Sequence, residues 1–551
     1  QGDDEAGQFI GGLLQRLDEA GMAPGEGLVQ SEGYFLILLG LGLGAHIDRM
    51  VQRSGCQTLL LVEPVLEFIY HSLSTYDWAA LFESFAASGR TLHIISDPDP
   101  VKISAAIKWR LRESNVCGLD GAYYLKFYDM PVIDEVLAGL GNELIAVSNG
   151  LGCYLDERLM VRNAHDNLKS GQSRLYRSPG DRQLDIPVFL VGSGPSLDDA
   201  ISVIKDNRDK AVIVSVGTAL QPLLNNAIVP DFQVESENFY PDFDAIMEFL
   251  QGAPETENIH LVAAVTCPRE FINSYGSASL YFRDAQTPTQ LFKPPPGATL
   301  IGGSPAVGNA GLSFIQWAGF RTFYLFGMDM GARQPERHHA AGSLGLVNEE
   351  FNIEVPGNFG GRAYTTSVFY EMLVSINESI INFSQGRRYF NCSDGCQVRG
   401  TEPLRPNEVT IDSPRTPKSE TVRQLVDETD SFTHNEVEAR WRECDLANEV
   451  ARLTEQANEI VAGTLDFSDH GHLKDIFALL VEEKNADRMA AQTLIRGSIF
   501  NMIIAVRYFS NRLGDPEHKQ RFHDAVQATF AESMERLQRR CASDMEPLAN
   551  S

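Results

Sequence analysis

The chain has 551 residues, with 74 acidic against 46 basic side chains and a net charge of −28. That balance repels a phosphate backbone, which argues against nucleic acid as a partner. With 43% hydrophobic residues it can bury roughly two to four domain cores, while its longest apolar runs fall short of the roughly 18 residues that span a bilayer.

From the N-terminus, Tyr34 to Leu39 reads as a buried strand, followed by the glycine turn Gly40-Leu-Gly-Leu-Gly-Ala45. A second strand, 58–62, ends at Glu63, about where a ribose-binding acid sits in dinucleotide folds. A third, 92–95, runs into Asp97-Pro-Asp99. The pattern fits a nucleotide or methyl-donor cofactor. The same glycines also read as packing positions, with Glu63 as a strand end. Asp97 and Asp99 resemble the Asp-x-Asp metal motif of many glycosyltransferases, and equally a turn rich in Asp and Pro.

Residues 151–185 turn polar and read as a bridging helix and a linker. The apolar strand 188–191 then breaks into Gly192-Ser-Gly-Pro-Ser196 and reopens as an amphipathic helix at Leu197. Such a turn aims backbone N–H groups and a helix dipole at one point, which suits an anion. Strands follow at 212–216, turning at Gly217-Thr218, and at 232–235, ending in Glu235-Ser-Glu-Asn238. Others lie at 260–265 and 280–282. Alternating strands and helices predict a parallel sheet whose ligand sits at the strand carboxyl ends. A second small-residue turn, Gly302-Gly-Ser-Pro305, opens the helix 306–318. The strand 322–326 closes on Gly327-Met-Asp329.

Val-Gly-Ser-Gly-Pro-Ser-Leu (191–197), the Gly-Gly-Ser-Pro to Phe-Gly-Met-Asp block (302–329) and Asn-Cys-Ser-Asp-Gly to Arg-Gly-Thr (391–401) together resemble the Maf family of motility-associated flagellin glycosyltransferases. The Leu-Gly-Leu-Gly-Leu-Gly and Leu-Val-Glu-Pro segments resemble that family's first domain. The central part is similar, more distantly, to bacterial sialyltransferases. The resemblance implies transfer of a nonulosonic acid, of pseudaminic or legionaminic type, from its CMP donor to Ser or Thr of flagellin. By position it implies that Gly192, Ser193, Gly194, Pro195 and Ser196 cradle the donor phosphate. Gly217, Thr218, Glu235, Ser236 and Asn238 would meet the cytidine, and Gly303 and Ser304 the sugar carboxylate.

The chemistry implied is displacement at an anomeric carbon, with a base at the acceptor hydroxyl and donors on the departing phosphate. Sialyltransferases place a histidine downstream of the Gly-x-Asp strand. Here His338 and His339 are candidates, and none follows before His434. A mobile polar loop explains the pair equally well. Asp329 is the other candidate base. Tyr364, Thr365 and Thr366 read as phosphate donors or as a helix N-cap. Arg333, Arg337 and Arg362 read as anion clamps or as solvated side chains. No cofactor beyond the CMP-sugar is expected, and a divalent metal stays open.

After the proline-broken linker 403–417, helical spacing of apolar residues continues to the C-terminus without a glycine turn. The eight cysteines are scattered, apart from the nearby Cys392 and Cys396, and read as reduced thiols of a cytoplasmic protein. The expected fold is α/β. It has a Rossmann-like domain (1–180), a sialyltransferase-like catalytic domain (181–415) and an all-α domain (416–551). Two other functions fit less of the sequence. One is an S-adenosylmethionine- or NAD-dependent enzyme centred on the Gly40 turn, the other a non-enzymatic flagellin-handling factor.

Overall fold

The structure, a computed structural model, describes all residues except 1–3, 23–24, 26, 29–31, 170–173, 179, 241, 345–349, 432, 483–487 and 551. The chain divides into two compact units. One is built from residues 1–157 and 445–551, the other from 158–444.

The first unit contains a parallel sheet in the order β3-β2-β1-β4: β1 Phe35–Leu39, β2 Thr58–Val62, β3 Thr91–Ile95 and β4 Tyr123–Lys126. β1 and β2 are continuous apolar runs, buried along their whole length, as central strands covered on both faces must be. The edge strands expose Ile94, Tyr124 and Leu125. Asp99 caps the helix Pro100–Asn115 by accepting from the Val101 N–H at 2.9 Å, and Asp97 accepts from the Asp99 N–H at 2.8 Å. Both carboxylates are spent on the turn, so the likeness to a metal motif ends there.

The helices Leu446–Gly463, Gly471–Val481, Met489–Ser510 and Pro516–Asn550 belong to this same unit. Asn115 donates to the Leu473 carbonyl at 2.8 Å, and the Tyr154 N–H to the Ser498 hydroxyl at 2.9 Å. Fully buried Glu5 pairs with Arg536 at 3.2 Å and Arg540 at 2.7 Å. The expected separate domain over 416–551 is therefore not how the contacts divide. Helical spacing shows that a face is buried but not against what. Residues 416–444 fall in the second unit. Helix Met489–Ser510, with a mean hydropathy of 1.4 over its apolar window, is long and apolar enough to cross a membrane, although Gln492 and Arg496 break its apolar run. In this unit 72% of its apolar window is buried.

The second unit carries an eleven-stranded sheet in the order β16-β15-β12-β6-β7-β8-β9-β10-β5-β17, with β11 on β10. The strands are β5 Arg174–Tyr176, β6 Val188–Val191, β7 Val212–Val216, β8 Phe232–Glu235, β9 His260–Ala264 and β10 Ser277–Arg283. They continue as β11 Thr299–Leu300, β12 Thr322–Phe326, the hairpin β13 Ile353–Pro356 and β14 Arg362–Thr365, β15 Arg388–Asn391, β16 Glu402–Pro403 and β17 Thr429–Ser431. All neighbours in the large sheet are parallel except β17, which runs antiparallel to β5. Every residue of β6 is buried, and Phe189 packs edge-on against Tyr324 and Phe326 at 5.6 and 5.0 Å. Each such ring contributes about 1.5–3 kcal/mol by leaving water. The α/β class read from the sequence, with two Rossmann-like parallel sheets and C-terminal helices, is the architecture seen.

Chain order places the site. From β6 the strands step outward through β7, β8 and β9 to β10, and the chain then returns to β12 on the other side of β6. The reversal between β6 and β12 is where open α/β sheets part their loops and bind ligands.

Candidate active site

A cleft of about 610 Å³ opens at the carboxyl ends of β12, β6, β7 and β8. Gly192, Ser193, Gly194, Gly217, Thr218, Glu235, Asp329, His338 and His339 line it. Pro195, Ser196, Ser236, Asn238, Gly303, Ser304, Tyr364 and Thr365 are not in its lining.

The turn after β6 differs from the phosphate cradle expected. The Gly192 N–H donates to the Phe326 carbonyl at 2.9 Å and the Gly194 N–H to the Gly327 carbonyl at 2.8 Å. Those donors are consumed in stitching two strand ends together. A Cβ on Gly194 would overlap the Asp329 carboxylate and lie 2.7 Å from the Gly327 oxygen. These glycines thus serve close approach of two backbones. What reaches the cleft is the hydroxyl pair Ser193 and Thr218, with Thr218 Oγ1 donating to Ser193 Oγ at 2.8 Å.

Ser196 turns inward instead, its Oγ donating to Asp329 Oδ2 at 2.8 Å. Asp329 is 2% exposed, and its Oδ1 is buried without a hydrogen-bond partner among the described residues. Burial pushes its pKa up to about 7, against the lowering effect of Ser196. Glu235, 4% exposed, is likewise pushed up to about 7 by burial. It accepts from Gln233 Nε2 at 2.8 Å and from the Tyr240 hydroxyl at 3.1 Å. A carboxyl whose folded pKa lies above its unfolded value favours folding at low pH and loses that contribution as pH rises through about 7. Asp329→Asn is therefore expected to raise the melting temperature at pH 8 more than at pH 5. A uniform effect across that range in calorimetry would contradict the burial of an ionisable group here.

The loop bearing the histidines is tied down. Arg337 pairs with Asp198 at 2.7 Å, the Ala341 N–H donates to Asp198 at 3.0 Å, and the Ala340 N–H reaches the Ser193 carbonyl at 2.9 Å. His338 stacks on Phe351 at 5.4 Å and meets His339 edge-on at 5.1 Å. Burial, then the His338 ring, lowers the His339 pKa, while the Ser193 backbone raises it. Its Nδ1 has no partner among the described residues.

Other expected contacts are placed elsewhere. Ser304 Oγ accepts from Arg283 at 3.2 Å, so Gly303 and Ser304 sit behind the wall. Ala306, Val307 and Gly308, at the start of helix Val307–Trp317, line the cleft instead. Thr365 donates to the Met330 carbonyl at 2.6 Å, and Thr366 caps helix Ser367–Asn382 at the cleft wall. The Asn238 carbonyl accepts from Asn163 at 3.1 Å. The Ser236 carbonyl accepts from Arg283 at 3.3 Å. Arg333 holds Asp394 at 2.8 Å and the Gly360 carbonyl at 2.7 Å, and Arg362 pairs with Glu354 at 2.8 Å. With Arg337 they are structural ties, not anion clamps. Among the described residues no Lys or Arg lines the cleft. Sequence reading missed the aromatic wall of Phe239, Tyr240, Phe249, Phe271 and Tyr275, whose spacing looks like ordinary helix core.

The Gly40 turn is filled by its own chain. Glu63, fully buried, accepts from the Leu41 N–H at 2.8 Å, the Gly42 N–H at 3.3 Å, the Val65 N–H at 3.0 Å and the Tyr128 hydroxyl. Side chains of Tyr128, Phe127 and Tyr76 occupy the space beside Gly40, Gly42 and Gly44. This leaves the acid no lone pair aimed at a ribose and the turn no room for a pyrophosphate, against the S-adenosylmethionine or NAD reading. Glu63→Ala is expected to cost about 3 kcal/mol through orphaned N–H groups, seen as a lowered melting temperature with CMP binding unchanged.

The second unit thus has a doubly wound sheet with an acid- and histidine-lined cleft at its switch point, and the comparisons give that class a chemistry. Residues 13–148 match the model of the glycosyltransferase Maf N-terminal domain. Residues 158–335 match that of a 6-hydroxymethylpterin diphosphokinase MptE-like family. The solved structure of the MAf glycosyltransferase from Magnetospirillum magneticum AMB-1 is similar over 99% of this chain and 84% of its own, at 26% identity and a TM-score of 0.78. No curated protein matches. The chain is a glycosyltransferase, similar to Maf over nearly its whole length.

Proposed function

We propose that the cleft transfers a nonulosonic acid, of pseudaminic or legionaminic type, from a CMP donor to Ser or Thr hydroxyls of flagellin in the cytoplasm. The observation that carries the reading is the convergence of Asp329, Glu235, His338 and His339 on one cleft at the switch point of the sheet. The acceptor oxygen attacks the anomeric carbon as its bond to the phosphate oxygen breaks, the acceptor proton passes to His339 Nδ1, and CMP departs. Positive charge for the departing phosphate is supplied without Lys or Arg. The first turns of helices Val307–Trp317 and Ser367–Asn382 both reach the cleft, and first turns leave N–H groups unsatisfied and carry the positive end of the dipole. Ser193, taking the Thr218 proton, keeps its own for the ligand. Glu235 and Asp329, with pKa values near 7, serve as neutral donors toward an anion when protonated.

The MptE-like match favours a second reading, diphosphate transfer to a hydroxymethylpterin. A triphosphate donor concentrates more charge than a lining free of Lys and Arg meets, so glycosyl transfer is preferred. Mass spectrometry of flagellin co-expressed with the chain and with a CMP-nonulosonate supply decides the matter. A gain of one or more sugar masses is expected, and unmodified flagellin would overturn the proposal.

A further inference from the structure

The segment Asn391-Cys-Ser-Asp-Gly-Cys396 leaves the end of β15 without lining the cleft, and sugar transfer as described gives it no part. Its contacts converge on Asp329. Fully buried Ser393 accepts from the Met328 N–H at 2.9 Å and donates to the Leu325 carbonyl at 3.3 Å. The Cys396 N–H donates to the Asp329 carbonyl at 2.8 Å. Between these two bonds, Gly395 lies so close that a Cβ on it would stand 2.5 Å from the Asp329 Cα and 2.6 Å from its Cβ. The chain at Asp329 is thus fixed at the residue before it, at its own carbonyl and along one side.

The next residue shows what this grip works against. Met330 has a φ of 48°, a left-handed conformation that residues with a branching Cβ substituent avoid. Its carbonyl takes the Thr365 hydroxyl at 2.6 Å and the Cys396 thiol at 3.2 Å, and such a strained turn persists only where its surroundings over-determine it. The gripping loop is itself held by Asn358, 5% exposed in the turn between β13 and β14. Its side-chain amide donates to the Asn391 and Ser393 carbonyls at 2.9 and 2.8 Å, and its backbone N–H to the Gly395 carbonyl at 3.0 Å. A serine hydroxyl in its place is a single donor and too short to bridge both side-chain contacts.

We propose that Ser393 and Asn358 are positioning residues for transfer, holding Asp329 where its carboxyl borders the cleft while staying shut away from water. The inference rests on the reading in which Asp329 acts, protonated, as a neutral donor toward the anion of the sugar donor. Burial is what pushes the Asp329 pKa up to about 7. A relaxed turn admits water to the carboxyl, and its pKa then falls toward the ordinary carboxylate range. The groups facing Asp329 are Ser196 from the turn after β6, Asp394 and Cys396 of the gripping loop, and Arg337 of the histidine loop. Glu235, His338 and His339 share the cleft with it. With the grip intact, the proton of Asp329 is lost as pH rises through about 7, and with the grip released it is lost at lower pH.

The test is an infrared pH titration of the full chain, following the carboxylic-acid C=O band that Asp329→Asn removes. The band of Glu235, which also titrates near pH 7, survives that substitution and is subtracted with it. The Asp329 band should be half lost at about pH 7 in the wild-type chain. In Ser393→Ala and Asn358→Ser the midpoint should fall by about one pH unit or more, a tenfold change in proton affinity. Transfer to flagellin by these variants should drop about 10²-fold in kcat, the size of an ~1 Å misplacement, with the KM for the CMP-sugar nearly unchanged. Should Asn358→Ser melt below the assay temperature, Ser393→Ala, which deletes a single oxygen, carries the test. A lowered melting temperature with the Asp329 midpoint unmoved means that the loop serves stability alone, and it overturns the proposal. A moved midpoint in a chain whose wild type transfers no sugar sinks the transfer reading and leaves the positioning standing, and transfer with an unmoved midpoint does the reverse.

Discussion

His339→Ala is expected to slow glycosyl transfer about 10²–10⁴-fold, the range of a lost general base, with CMP affinity unchanged. The ring lies against the Ser193 backbone, with Nδ1 buried and unpartnered among the described residues. Burial and the His338 ring lower its pKa below the ordinary 6.5, so the imidazole is neutral and able to take a proton at neutral pH. The sign of the pH profile follows. Rate should hold level as pH falls past 6.5 and decline only where the ring at last binds its proton. His338→Ala should do much less, because that ring is occupied in stacking on Phe351. A double variant transferring at near wild-type rate would hand the role to Asp329, whose Oδ1 is the next unpartnered acceptor of the cleft.

A still larger loss is expected from Gly194→Val: transfer at background level. The new Cβ would stand 2.7 Å from the Gly327 oxygen and inside the Asp329 carboxylate, before the valine methyls are counted. Relief requires β6 and β12 to separate at their carboxyl ends, which breaks the Gly194–Gly327 hydrogen bond and moves Asp329 from Ser196. Overpacking of this kind costs about 1–3 kcal/mol or more, within what a large apolar core tolerates, so the melting curve should shift without disappearing. CMP affinity should fall with activity. Retained transfer would mean that the two strand ends are free to part.

Much of this architecture could be read from residue order. The apolar strand 188–191, its small-residue turn and the acid ending 322–326 predicted a parallel sheet with a ligand at its carboxyl edge, and the cleft lies there. The purpose of the glycines was not legible. A Gly-x-Gly turn that offers N–H groups to phosphate and one that lets two strand ends touch have the same letters, and only the partner carbonyls of Phe326 and Gly327 tell them apart. Glu63 shows the same ambiguity, since its position suits a ribose and its hydrogen bonds go to the turn itself. The aromatic wall was hidden for a different reason. Its residues come from two helices, Phe243–Gln251 and Arg269–Ile272, and from the loops beside them, and nothing local marks them as one surface. The small-residue turn 302–305 was aimed about three residues short, because the start of the helix it opens, and not the turn, lines the cleft.

The first unit closes only when both ends of the chain meet, because Glu5, Asn115, Asp120 and Tyr154 find their partners beyond residue 445. On a ribosome adding about 5–20 residues per second, the intervening segment takes roughly fifteen seconds to a minute to emerge. During that interval Glu5, Asn115, Asp120 and Tyr154 stand without their later partners, while the segment 158–444 is contiguous in the chain. Order of maturation is thereby reversed with respect to order of synthesis. The half that holds the cleft is complete on the nascent chain, and the half translated earliest closes only when the last helix arrives.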